Sequence, residues 1–190
     1  NIDLEELYCR ENNLTTLDIA NNISLDQLDC SYNQITNLDV IQCDQILVLN
    51  CSHNQLTSLD FNNNLDIYSL NCSDNQLTSL DISYSTSLES LNFSNNHLTS
   101  IDLSSFDPFF FNLFAQGNPN LYCIDVSNEL FALIEWGSSV DSITTFSTNC
   151  SIQPTGCTFS LACNYDSLAT VNDGSCIFPD GCTDSLACNY

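Results

Sequence analysis

Between residues 4 and 126 the chain repeats itself every 21 residues. The segments LEELYCRENNLTTLDI, LDQLDCSYNQITNLDV, ILVLNCSHNQLTSLDF, IYSLNCSDNQLTSLDI and LESLNFSNNHLTSIDL align without gaps, and a sixth, degenerate copy follows as FFNLFAQGNPNLYCIDV. Leu7, Leu28, Leu49, Leu70, Leu91 and Leu113 fall into one column, and Leu14, Ile35, Leu56, Leu77, Leu98 and Leu121 into another. Asn12, Asn33, Asn54, Asn75, Asn96 and Asn118 make a third. A unit this short cannot bury its own apolar edge, whereas stacked copies share one continuous core. The period therefore predicts a solenoid, with coils about 4.8 Å apart and a rod of roughly 25 to 30 Å.

The columns spell L-x-x-L-x-L-x-x-N/C-x-L in register, and within each unit the second half (LTSLDI) echoes the first (YSLNCS). In this the chain resembles the leucine-rich repeat family, and within it the nested 21-residue class of secreted bacterial proteins. The resemblance implies a mostly β solenoid over residues 1–126, six coils in all, with both halves of each unit extended and helix scarce.

Cys9, Cys30, Cys51 and Cys72 occupy the inward L-x-C position one repeat apart. Parallel side chains so placed keep their Cβ atoms near the strand spacing of about 4.8 Å, wider than the roughly 3.5 to 4.5 Å of a disulfide. The next two coils put Phe93 and Ala115 in the same slot, so the slot asks for apolar filling. The four are read as buried thiols packing as small hydrophobes, rather than as bridges or a metal set. The asparagine amides are expected to satisfy backbone groups at the bend between coils. Cys43 lies off these columns, and its state stays open.

From GNPNLYCIDV to TTFSTNC the period fails, the single tryptophan appears, and Cys123 and Cys150 bracket the segment. An exposed solenoid end is an unpaired edge and has to be covered. The stretch 127–150 resembles the terminal cap of the same bacterial repeat proteins, and that resemblance implies a Cys123–Cys150 disulfide. A short helix over 127–136 is expected, with Trp136 packed on the last coil. Residues 151–155 read as a linker. A module at 156–180 follows, GCTFSLACNYDSLATVNDGSC, and GCTDSLACNY at 181–190 begins a second copy. About 20 residues cannot bury a stable core, so such modules need covalent staples. They resemble tandem modules of large secreted Bacteroidetes proteins, which implies a Cys157–Cys176 pair. Cys163 could then meet Cys188, leaving Cys182 for a partner beyond residue 190. The expectation is a piece of a longer extracellular polypeptide.

Composition bounds the partners. Against 24 acidic residues stands one basic residue, Arg10, a formal charge of −23. Such a chain is repelled by nucleic-acid phosphates and anionic headgroups, so neither nucleic acid nor direct membrane insertion is expected. Twelve cysteines and no lysine point to an oxidising, extracellular or cell-surface setting.

No constellation for catalysis stands out. Cys51 and His53 are close in sequence, but the first is read as inward and the second as part of a turn, and no enzyme activity is expected. Asp18, Asp39, Asp60, Asp81, Asp102 and Asp125 form an outward column, read as a solvated ladder. Asp166, Asn172 and Asp173 precede a glycine and offer oxygen ligands for Ca²⁺, the one cofactor considered. The strand face presents Tyr8, Asp29, Asn50, Asn71, Asn92 and Phe114 as its candidate binding residues. That face is polar and flat, and suits weak multivalent contact. The Bacteroidetes resemblance further implies O-glycosylation at DSI and DSL, on Ser142, Ser167 and Ser185. The functional expectation is a noncatalytic adhesion or interaction module, recognising a protein or glycan at the cell surface. The rival is a structural subunit that assembles with copies of itself into a filament or surface layer.

Overall fold

The computed structural model describes residues 1–107, 109, 111–150, 155–166, 169, 171–172 and 174–178, with only the backbone of 155, 171 and 172. It divides into two compact units, Asn1–Thr148 and Asn149–Tyr190.

The first unit is a parallel β solenoid of about seven turns. Six three-residue strands form one sheet in the order β1 (Glu6–Tyr8), β2 (Gln27–Asp29), β3 (Val48–Asn50), β4 (Ser69–Asn71), β5 (Ser90–Asn92), β7 (Asn112–Phe114). The register follows the repeat, pairing Leu7 with Leu28, Leu28 with Leu49, Leu49 with Leu70, Leu70 with Leu91 and Leu91 with Leu113. A one-residue slip would turn this leucine column to water, which is why the period pins the pairing. The second half of each unit is looser than expected. Only β6 (Ser100–Asp102), β8 (Cys123–Asp125) and β9 (Thr145–Ser147) form a sheet there, in the order β6-β8-β9, with an isolated bridge between Asp39 and Asp60 in earlier coils. Since β9 comes from the cap, the solenoid runs past residue 126 into the segment expected only to cover it.

From the second coil on, each asparagine of the column binds two coils together, while the Asn12 side chain donates only to Cys9 and Arg10 of its own coil. The Asn54 amide nitrogen donates to the carbonyls of Cys30 (3.1 Å), Cys51 (3.1 Å) and Ser52 (3.2 Å), and its oxygen accepts from the Ile35 amide (2.9 Å). Asn33, Asn75, Asn96 and Asn118 repeat the pattern on their own coils. A buried bend thus has its polar groups satisfied without water. The residue before each asparagine is left-handed: Glu11, Tyr32, His53, Asp74 and Asn95 have φ between 52° and 55°, and Gly117 has 77°. Side chains there are strained, and they persist because the amide of each donates to the next coil, as from Tyr32 to Ser52 (3.0 Å) and from His53 to Ser73 (2.9 Å). Of these six positions only Gly117 lacks a side chain, and a Cβ there would meet the Asn95 side chain in a left-handed backbone that disfavours one.

No described strand follows β7 in its sheet to accept such amides, and Asp141 takes that place. Its two carboxylate oxygens accept from the Gly117 amide (3.0 Å) and the Asn118 amide (2.8 Å). In earlier coils the equivalent amides donate to carbonyls, as from Glu11 to Ser31 and from Asn12 to Tyr32. Helix α1 (Glu129–Trp136) completes the cap. Asn128 caps its start by accepting from the Phe131 amide, and Trp136, 2% exposed, donates through Nε1 to the Phe111 carbonyl at 2.9 Å.

The second unit holds two short parallel strands, β10 (Thr155–Gly156) and β11 (Val171–Asn172), and a disulfide between Cys157 and Cys176. Asn164 organises the loop, donating to the Ser175 carbonyl (2.8 Å) and accepting from the Ile177 amide (2.7 Å). Cys163 is disulfide-bonded as well. Its expected partner Cys188, with Cys182, lies outside the described residues.

Candidate binding face

The sheet of six strands presents its outward residues in straight rows. Tyr8 at one end and Phe114 at the other are 60% and 54% exposed. Between them Asp29, Asn50, Asn71 and Asn92 are half-buried, not free. Each caps the chain two residues on: Asp29 Oδ1 accepts from the Ser31 amide (3.0 Å) and hydroxyl (2.6 Å), Asn50 likewise from Ser52 (3.2 and 2.8 Å), and Asn92 from Ser94 (3.1 and 2.7 Å). Asn71 accepts from the Ser73 amide at 3.2 Å. These side chains hold the strand ends in place and form a preorganised polar surface with an aromatic group at either end. Tyr8 is itself fixed by donating its hydroxyl to Gln27 Oε1 at 2.9 Å.

A second outward row escaped the sequence reading. The left-handed residues stack along one edge of the rod. Arg10 pairs with Glu11 at 2.7 Å, and its guanidinium sits 5.7 Å from the Tyr32 ring centre. Tyr32 stacks on His53 with ring centres 4.0 Å apart, His53 Nε2 lies 3.3 Å from Asp74 Oδ2, and Asn95 donates to Asp74 Oδ1 at 2.9 Å. Column spacing places these residues in line, but their side chains differ in type at every coil. The only usable signal was the glycine at the sixth copy of the position.

Behind the strands, Cys30, Cys51 and Cys72 are fully buried free thiols. Desolvation pushes Cys30 and Cys72 up to about 12 and Cys51 well above the ordinary thiol value, so all three stay protonated and non-nucleophilic at neutral pH. Cys9 departs from the expectation. It is free but only half-buried, because no described coil lies on its outer side. Cys43, left open by the sequence, is a fully buried thiol donating to the Ile19 carbonyl at 3.4 Å. Cys51 and His53 do not form a nucleophile and base, since Cys51 is in the core and His53 stacks at the rim.

The aspartate column is structural as well as solvated. Asp18, Asp39, Asp60, Asp81 and Asp102 each accept, through Oδ1, from the amide two residues ahead, at 2.8 to 3.1 Å. Among the described residues no group of three or more His, Cys, Asp or Glu could hold a metal. Of the Ca²⁺ candidates, Asp166 lies after the bridge at Tyr165, Asn172 is described only as backbone in β11, and Asp173 lies outside the described residues. Of the glycosylation candidates, Ser142 is exposed, while Ser167 and Ser185 lie outside the described residues. Cys123 and Cys150 are each disulfide-bonded.

The Leucine Rich Repeat family model matches residues 87–109, across coil five. The structure is similar to the functional domain of InlJ from Listeria monocytogenes, described as including a cysteine ladder, at 36% identity and TM-score 0.55. The fold is a leucine-rich-repeat solenoid. A leucine-rich-repeat protein of Leptospira interrogans is also similar, at 25% identity and TM-score 0.58. The internalin InlF of Listeria monocytogenes, at 22% identity and TM-score 0.52, supports the fold alone. These likenesses cover 66%, 73% and 74% of this chain but only 26%, 37% and 44% of the respective structures, so the chain spans less than half the length of each. No curated protein sequence matches it.

Proposed function

We propose that the chain is a noncatalytic, extracellular interaction or adhesion module of a bacterial surface or secreted protein, binding a protein or glycan through its strand face. The observation that carries this reading is the parallel sheet in strict register, with outward side chains held by hydrogen bonds and exposed Tyr8 and Phe114 at its ends. Binding to a preorganised surface loses little side-chain entropy. Likeness to the functional domain of InlJ, at 36% identity, supports an interaction role. The disulfide-bonded cysteines support an oxidising location. The raised thiol values argue against cysteine catalysis by the column residues. Sugar on exposed Ser142 belongs to the same reading.

The test is binding of the purified chain to an array of glycans and extracellular proteins, repeated with Tyr8→Ala and Phe114→Ala together. Loss of about tenfold or more in affinity for the captured ligand supports the strand face, since aromatic anchors dominate such interfaces. Undiminished binding contradicts it, and regular self-assembly in sedimentation and electron microscopy would favour the structural-subunit reading.

A further inference from the structure

Helix α1 is apolar on the wrong side. Only Ala132 and Trp136 face the core, yet Leu130 is 66% exposed, Leu133 60%, Ile134 67% and Phe131 37%. These four occupy positions i, i+3, i+4 and i+1, one continuous face turned away from the two buried residues. A helix on a protein surface ordinarily puts charged and polar residues there, and a helix apolar all round is a buried one. Phe109 continues the face onto the loop before the sixth coil, 61% exposed with its ring centre 4.9 Å from that of Phe131. Beside the two rings opens a shallow depression of about 390 Å³, whose lining includes Ser104, Phe106, Asp107 and Asn128. Several large apolar side chains gathered at one place, next to a concavity, mark an interaction surface.

Charge decides what covers it. The apolar face is rimmed by carboxylates, Glu129 and Glu135 on the helix and Asp107 in the depression; one oxygen of Glu129 accepts from the Thr148 amide and one of Asp107 from the Phe109 amide, which leaves each carboxylate its charge and a second oxygen. The chain's single Lys or Arg is Arg10, which lies in the first coil at the far end of the rod and is already paired with Glu11. A second copy would therefore bring more carboxylates and no cation to the rim, at a net charge of −23 on each side. We propose that the outer face of α1, with Phe109, docks a cationic amphipathic helix of another protein. Its apolar stripe would lie along Leu130, Leu133 and Ile134, and its flanking lysines or arginines would meet the acidic rim. This surface is separate from the strand face, and the proposal stands whether or not that face binds.

The test uses the full chain and two synthetic peptides built from leucine and lysine. One is patterned as an amphipathic helix, and the other has the same composition scrambled to destroy the apolar face. Fluorescence anisotropy at low salt, and at salt high enough to screen exposed pairs, separates packing from charge. The expected result is a preference of about tenfold or more for the patterned peptide that persists in high salt. The double variant Leu130→Ser with Ile134→Ser should remove that preference. Both side chains are largely exposed, so unchanged circular dichroism and unfolding midpoint check that the fold is kept. Equal binding of the scrambled peptide, or an unchanged preference in the double variant, overturns the proposal. So does a dimer in sedimentation velocity that the double variant abolishes, because the occupant is then a second copy.

Discussion

Cysteine plays opposite parts in the repeat coils and in the second unit. In the repeat coils Cys30, Cys43, Cys51 and Cys72 are free, fully buried and packed as apolar side chains, whereas Cys123, on the last strand before the cap, is disulfide-bonded. In residues 149–190 Cys157 is bonded to Cys176 and Cys163 is also in a disulfide. The solenoid buries a leucine ladder and satisfies its bends with asparagine, so thiols there only have to fill volume. The second unit has Cys157 and Ala162 as its buried apolar residues among those described, too few to hold it by packing. The residue type is the same, and the local supply of core decides whether it becomes filler or staple.

The largest effect should come from removing a staple. Cys157→Ser deletes a cross-link across a separation of 19 residues, worth about 3 kcal/mol in the loop-entropy picture, and should leave the second unit open to proteolysis while the solenoid's unfolding is unchanged. Equal protease resistance would break the comparison. Next is Asn54→Ala, which strips hydrogen bonds from the carbonyls of Cys30, Cys51 and Ser52 and from the Ile35 amide, and should cost about 3 kcal/mol by denaturant unfolding. Asp141→Ala removes the carboxylate that closes the last coil and should cost about 2 kcal/mol, with hydrogen exchange rising first at Gly117 and Asn118.

The smallest effect at neutral pH belongs to Cys72→Ala, about 1 kcal/mol, because the slot already accepts Ala115 in a later coil. Its pH dependence sharpens the comparison. Burial raises the folded Cys72 thiol to about 12 from an ordinary 9.0. Above pH 9 the unfolded chain loses a proton that the folded chain keeps, so stability falls as pH rises through that window. The slope is about 1.4 kcal/mol per pH unit per thiol, and it ends near the folded value. Cys72→Ala should flatten the alkaline slope by that amount. An unaltered slope would mean that the thiol is not buried as described.

The leucine and asparagine columns made the solenoid legible, because a period of 21 residues leaves one register that buries Leu28, Leu49 and Leu70 together. The inward thiols followed from the same geometry, since Phe93 and Ala115 revealed what the slot requires. The capping helix was legible through Trp136, but its outer face was not. Nothing in the sequence separates Leu130, Leu133 and Ile134 from core residues, and the structure shows water on them. Asp141 was visible only as part of a DSI triplet, and its role depends on two amides more than 20 residues earlier in the chain. The left-handed row was hidden because backbone hydrogen bonds between coils, not side-chain preference, impose its φ. Of the candidate binding face, the positions were readable but not the internal bonds that tie Asp29, Asn50 and Asn92 to their serines.

The central claim is that core supply decides the state of the coil and module cysteines, and differential alkylation of the native, unreduced protein followed by mass spectrometry tests it most directly. Cys30, Cys51 and Cys72 should remain unlabelled until the chain is denatured and then label without reductant, whereas Cys157 and Cys176 should label only after reduction. A Cys30–Cys51 or Cys51–Cys72 cross-linked peptide, or free thiols at Cys157 and Cys176 in the native protein, would contradict the account.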